Sequence, residues 1–188
     1  MSDESMKEDR ELALKIEHFA ERLNLVFSYF FSTLEFWNLK EFQGEPSKND
    51  RTWMLQTIQN ACLNTTLIAL RDLDDFLTPR MHKTRPDDIR ASDFGMANDL
   101  SFLTVSEREA INKNIAHTTL RGAHAQDLRW DVFELTTKAI GQGIAFLDWV
   151  VEHHAHHFLV WTAAMTCKGK TQAIYKSLAK EIKARKRA

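Results

Sequence analysis

The chain has 188 residues, the length of one domain, and its 44% hydrophobic and 27% charged residues are ordinary for a globular protein. Two cysteines, Cys62 and Cys167, exclude a disulfide framework, and we interpret both as reduced packing thiols. The net charge of −1, an acidic N-terminus without an apolar signal region and the absence of a membrane-length apolar run predict a cytoplasmic protein that makes no membrane contact.

Two long helices are predicted in the first half of the chain. Apolar residues three and four positions apart predict the first helix over 12–37, and the segment 43–50, QGEPSKND, ends it. The second helix is predicted from about Arg51 to Leu77, with Asp72 on a mostly apolar stripe. Because an unpaired carboxylate on such a stripe is costly, we expect a cationic or hydrogen-bonding partner for Asp72.

The segment 78–105 has no clear periodicity, and we predict a candidate functional loop with a short helix within 87–94. The third helix is predicted to begin with a capping box between Ser106 and Glu109 and to end near Gly122.

The fourth helix is predicted to begin with a cap at Asp131 and to run to about Thr166. Its apolar residues span an arc of roughly 200°, which indicates packing on two sides or a dimer interface. The sequence GKT at 169–171 is predicted to separate it from a basic last helix, which is either a solvated helix or a polyanion-binding tail. We therefore predict an all-α, up-and-down bundle of four main helices over 1–168, with a smaller basic C-terminal helix or tail over 169–188 that packs on this domain or extends from it.

The third helix carries a polar stretch, INKNIAHTT, at 111–119. At about 100° per residue, Lys113, His117 and Arg121 share one polar face, whereas Ile111 points toward the bundle. A histidine flanked by cations tends to be neutral at physiological pH and able to act as a base. This face therefore suits phosphodiester cleavage, in which His117 accepts the proton of a ribose 2′-hydroxyl and the cations stabilise the charge on phosphate.

The residues NKNIAH, 112–117, in an all-α chain and before a loop and a long helix, resemble the signature of HEPN domains. The resemblance implies a helical bundle that usually dimerises, with two motifs facing a shared cleft. Many members resemble metal-independent ribonucleases of toxin–antitoxin and abortive-infection systems, and others are non-catalytic nucleotide-binding or interaction modules. The implied partners are a second copy, RNA or a nucleotide, and an antitoxin or other protein, with no cofactor.

Six residues receive candidate roles from the helix geometry and the resemblance together. His117 is the general base or acid, Asn112 and Lys113 hold phosphate or ribose, Arg121 or Arg108 is an electrostatic helper, and Asp72 orients the site. Asp72 in a purely structural buried pair is an equally good account. Asn112 stands where the family motif opens with Arg, and an amide does not supply the positive charge of a guanidinium.

The sequence EHHAHHF at 152–158 raises a different hypothesis, a His-ligated metal-binding bundle. His153 and His157 have the i,i+4 spacing that lets one helix supply two ligands. No ExxH or HExxH pattern accompanies them, and four adjacent histidines spread around a helix. Packing or interface roles for these histidines are the alternative.

Overall fold

The computed structural model describes residues 3–38, 50–78, 88–113 and 130–185. Within these ranges the chain is all-α, as predicted, and no strand is present. The described ranges contain five α-helices and one short 3-10 helix: α1 (Asp3–Asn38), α2 (Asp50–Leu77), the 3-10 helix (Ala91–Phe94), α3 (Val105–Ile111), α4 (Val132–His153) and α5 (Phe158–Arg185). None of the helices in these ranges is long and apolar enough to cross a membrane.

The first two helices end within one residue of the prediction, but α1 begins at Asp3, nine residues before its predicted start. The prediction of a small C-terminal helix is wrong, because α5 has 28 residues. The predicted break at GKT is also wrong, since 169–171 lies within α5. Thr171 is buried there, and its hydroxyl donates to the Cys167 carbonyl at 2.9 Å, so this polar group is satisfied within the helix.

The chain divides into two compact units. Unit 1 comprises Met1–Leu23, Leu73–Phe102 and Thr137–Ala188, and unit 2 comprises Asn24–Asp72 and Leu103–Thr136. Residues 168 and 169, between which the predicted bundle gives way to its C-terminal helix or tail, both lie inside α5 and inside unit 1.

Aromatic side chains from separate elements form the core of unit 1. The Phe19 ring lies 4.7 Å from that of Phe76 and 4.8 Å from that of Phe146, and Phe94 lies 5.4 Å from Phe146. Gly143 allows the close approach of α1, because a Cβ there would lie 3.2 Å from a methyl carbon of Leu23. In unit 2, the ring of Phe30 packs edge-on against Phe133 at 5.0 Å.

The predicted short helix is confirmed as the 3-10 helix, and Leu100 and Phe102, which follow it, contact the end of α2. Gly95 ends that helix at φ 82°, a conformation that favours glycine. The N–H of Leu100 donates to the Leu77 carbonyl at 3.3 Å, so one of the free carbonyls at the end of α2 is satisfied. The part of the predicted loop at 79–87 lies outside the described residues.

The prediction of one helix from 131 to 166 is wrong, because α4 ends at His153 and a turn at 154–157 leads into α5. The turn is held from outside these two helices: His154 Nε2 lies 2.8 Å from the Phe94 carbonyl oxygen. Asp9 of α1 is buried, and its Oδ2 accepts from the N–H of Leu159 at 3.3 Å. A carboxylate from α1 therefore caps the N-terminus of α5.

Candidate functional site

The helix that leads into the candidate motif begins two residues earlier than predicted. The capping box lies between Thr104 and Glu107, not between Ser106 and Glu109. The N–H of Glu107 donates to Thr104 Oγ1 at 3.2 Å, and the N–H of Thr104 donates to Glu107 Oε2 at 2.7 Å. Both pairs match the same box pattern, so Thr104 starts the helix and leaves Glu109 available for the motif face.

Helical geometry continues from α3 into the candidate motif. Asn112 has φ −60° and ψ −48°, and its N–H donates to the carbonyl oxygens of Arg108 and Glu109. Ile111 is completely buried, Asn112 is partly buried and Lys113 is exposed. The prediction that Ile111 faces the core and Lys113 does not is therefore confirmed.

Lys113 carries its charge beside a carboxylate. Its Nζ lies 2.7 Å from Glu109 Oε2, one turn earlier on the exposed side of α3. The hydrogen bond and positive charge of Lys113 hold the pKa of the Glu109 carboxyl below its usual range. A phosphate that binds Lys113 therefore competes with Glu109 for the ammonium group.

The remaining predicted site residues are only partly accounted for. Arg108 lies in α3, one turn before Asn112, and is partly buried. His117 and Arg121 lie outside the described residues, so their predicted roles stay predictions.

Asp72 is not the buried carboxylate of α2 that its sequence position predicted. Its side chain is 50% exposed, and its Oδ1 lies 3.5 Å from Arg71 Nη1. The placement of Asp72 on a buried apolar stripe is therefore wrong. In this part of α2 the buried side is formed by Leu70 and Leu73 instead. Its predicted role in orienting the site is not tested by this exposure.

The buried carboxylate is Asp74, which sequence reasoning missed. Asp74 is completely buried, and its Oδ1 accepts from the backbone N–H of Phe102 at 2.8 Å. A signal was present, since Leu67, Leu70, Asp74 and Leu77 recur at helical spacing and all are buried. This contact makes Asp74 a structural residue that fastens the segment before α3 to α2.

A cavity of about 270 Å³ lies beside the exposed side of α3. Its lining residues are Ser106, Glu107, Ala110, Trp130, Asp131, Glu134 and Leu135. Two of its three carboxylates cap helices: Glu107 caps α3, and Asp131 accepts from the N–H of Glu134 at 2.9 Å, as the predicted cap of α4 requires. The negative lining repels phosphate, so this cavity is unsuited to hold the nucleic-acid backbone.

The histidine cluster does not form the predicted pair of helical ligands. His153 ends α4 and His157 precedes α5, so the two do not lie one turn apart on one helix. The His153 ring stacks on Trp149 at 4.3 Å, whereas His157 Nδ1 lies 3.6 Å from Asp9 Oδ1. Within the described ranges, no three His, Cys, Asp or Glu side chains are grouped so that they could hold a metal ion.

Both cysteines are free thiols, as predicted: Cys62 is partly buried and Cys167 is buried. Burial raises the pKa of the Cys167 thiol, so this group is protonated and unreactive at neutral pH.

Comparison of the chain with protein-family models, with curated proteins and with solved structures finds no match.

Proposed function

We propose that this chain is a HEPN-like protein that cleaves RNA without a metal ion, acts as a homodimer and belongs to a defence or toxin–antitoxin system. The observation that carries the proposal is the continuation of helical geometry through Asn112 to Lys113, with Ile111 buried and Lys113 exposed. These residues open the NKNIAH sequence that resembles the HEPN motif.

The chemistry of the proposal belongs to His117. A neutral imidazole takes the proton of a ribose 2′-hydroxyl, the resulting oxyanion attacks the adjacent phosphorus, and the 5′-oxygen leaves with a proton returned by an acid. Lys113 and either Arg108 or Arg121 stabilise the charge on the phosphate oxygens. Asp72 remains a proposed positioning residue, and a second copy would supply the facing motif.

Electrostatics also support a second candidate function, a non-catalytic HEPN-like nucleotide-binding or protein-interaction module. Asn112 replaces the charged residue that opens the family motif. The ion pair with Glu109 offsets the charge of Lys113. Both features reduce the positive potential available to a phosphate. The metal-binding alternative loses its main support, because His153 and His157 do not share a helix.

The deciding experiment incubates the purified full-length protein with single-stranded RNA in EDTA, beside His117→Ala. The proposal expects cleavage by the wild type and its loss in His117→Ala. The matched control is His156→Ala, which removes an exposed histidine of the α4–α5 turn and should cleave normally. Cleavage that His117→Ala retains would refute the assigned role of His117.

Asn112→Arg separates the two candidate functions. If the missing guanidinium limits catalysis, Asn112→Arg should cleave RNA faster than the wild type. A folded wild type and Asn112→Arg that both leave RNA intact would support the non-catalytic module. Light scattering that finds only monomers would contradict the shared-cleft arrangement.

A further inference from the structure

Helix α5 exposes large apolar side chains along one side. Phe158 is 71% exposed, and Trp161, Met165 and Tyr175 are between 37% and 39% exposed. At about 100° per residue, the first three lie within an arc of about 60°, and Tyr175 lies about 40° beyond Trp161. These exposed side chains therefore lie along one side of the helix.

The opposite side of α5 packs against the core of unit 1. The buried residues of this side are Val160, Ala164, Cys167, Thr171 and Leu178. The helix is thus held along most of its length by residues that do not include the exposed aromatic side chains. Packing within unit 1 therefore leaves Phe158 largely uncovered and covers Trp161 and Tyr175 only in part.

The same exposed side is positively charged. The sequence from 158 to 180 contains four lysines and no Asp or Glu. Lys168 pairs with Asp148, but Lys170, Lys176 and Lys180 are exposed, and within the described ranges no carboxylate forms an ion pair with them. Lys176 falls at the helical angle of Phe158, and Lys180 falls about 40° from it. We call Phe158, Trp161, Met165, Tyr175, Lys176 and Lys180 the α5 face.

We infer that the α5 face binds single-stranded RNA, with bases stacked on Trp161 and Tyr175 and phosphates held by Lys176 and Lys180. Exposed aromatic rings beside unpaired cations are the combination that binds single strands without sequence preference. From Phe158 to Lys180 the helix is about 33 Å long, which matches on the order of ten stacked nucleotides. This inference rests on the proposed function for its choice of RNA as the polyanion.

Charge favours RNA over the other occupants of such a face. Two copies of the α5 face packed in parallel would bring lysines against lysines with no acidic residue on either face, which is unfavourable. A membrane-surface helix has a continuous aliphatic side, whereas Thr162, Gly169 and Gln172 interrupt the apolar residues of α5.

The test measures binding of a fluorescent 12-nucleotide oligouridine that carries 2′-O-methyl groups, which the proposed chemistry does not cleave. Lys176→Ala/Lys180→Ala should reduce the slope of log affinity against log salt by about 1.4, because two phosphate contacts are lost. Trp161→Ala and Tyr175→Ala should each weaken binding about fivefold or more. Lys7→Ala and Leu14→Ala, at exposed positions of α1, are the matched controls and should bind like the wild type.

Ultraviolet crosslinking of the same probe provides a readout of position, and peptides that contain Trp161 or Tyr175 should carry the label. The inference is overturned if the three α5 variants bind RNA like the controls, or if crosslinks form only elsewhere. It is also overturned if these variants lose only dimerisation in light scattering, or only binding to vesicles of anionic lipid.

The two proposals fail separately. Cleavage of unmodified RNA by the wild type, with unchanged probe binding in the α5 variants, would refute RNA binding by the α5 face and support the nuclease. Weakened binding in the α5 variants, with no cleavage by the wild type, would support the α5 face and refute the nuclease.

Discussion

The hydrogen bond between Asp74 and the backbone of Phe102 makes a strong stability prediction. Asp74→Ala removes a completely buried acceptor and leaves the Phe102 N–H, in a residue only 8% exposed, without that partner. A hydrogen bond to a charged group contributes about 1.5–3 kcal/mol, and a buried donor left unsatisfied costs about 1–3 kcal/mol. Because these two figures overlap in what they count, we expect a total loss of about 2–4 kcal/mol.

The neighbouring Asp75 supplies the matched control. It lies on the same turn of α2 and is only partly buried, so Asp75→Ala makes the same change in helix propensity. We expect Asp75→Ala to cost less than about 1 kcal/mol, the usual upper value for an exposed ionic contact. Asp74→Asn keeps an acceptor but loses the charge, and its cost should fall between those of the two alanine variants.

Urea unfolding, followed by far-ultraviolet circular dichroism and tryptophan fluorescence, measures these free energies. In a thermal melt, the loss in Asp74→Ala corresponds to a decrease in Tm of roughly 4–15 °C for a chain of this size. A free energy of unfolding for Asp74→Ala within about 0.5 kcal/mol of that for Asp75→Ala would refute the assigned role of Asp74.

Three further predictions concern other contacts. Asp9→Ala should lower the free energy of unfolding by about 1–2 kcal/mol in urea titrations, because it removes the cap of α5, and a loss below about 0.3 kcal/mol would contradict that cap. Iodoacetamide at neutral pH should label Cys62 before Cys167 in a peptide-mapping time course, because burial raises the pKa of the Cys167 thiol. Faster labelling of Cys167 would contradict this burial. The ion pair with Lys113 lowers the pKa of Glu109. The pair therefore stabilises the folded protein fully above the usual carboxyl pKa of 4.5, and this stabilisation is lost as the pH falls through the lowered pKa. Carboxyl NMR titration should find a higher pKa for Glu109 in Lys113→Met, and an unchanged one would show that the pair is absent in solution.

Local sequence signals succeeded where the cause is itself local. The 3.6-residue spacing of apolar side chains predicted α1 and α2 closely, since each long helix buries one side. The cap at Asp131 could be predicted because its side chain accepts from the N–H of Glu134, only three residues later. The burial of Ile111 beside the exposed Lys113 followed from helical angles alone.

Other features depended on a choice between equivalent local patterns. Thr104 and Glu107 match the capping box as well as Ser106 and Glu109 do, and the sequence does not distinguish the two. Asp72 and Asp74 flank Leu73 on α2, but only Asp74 faces the buried side. In each case the packing of the helix selects one register, because only that register buries its apolar residues.

The sequence by itself determined that the chain is all-α, where its first two helices lie, and that Asn112, Lys113 and His117 form a motif-like run. Tertiary structure decided that the helix predicted over 131–166 is interrupted at 154–157. The residues that hold this turn, Asp9 and Phe94, lie far away in the sequence. A helix continues by local hydrogen bonds, so only partners from elsewhere in the fold make its interruption favourable.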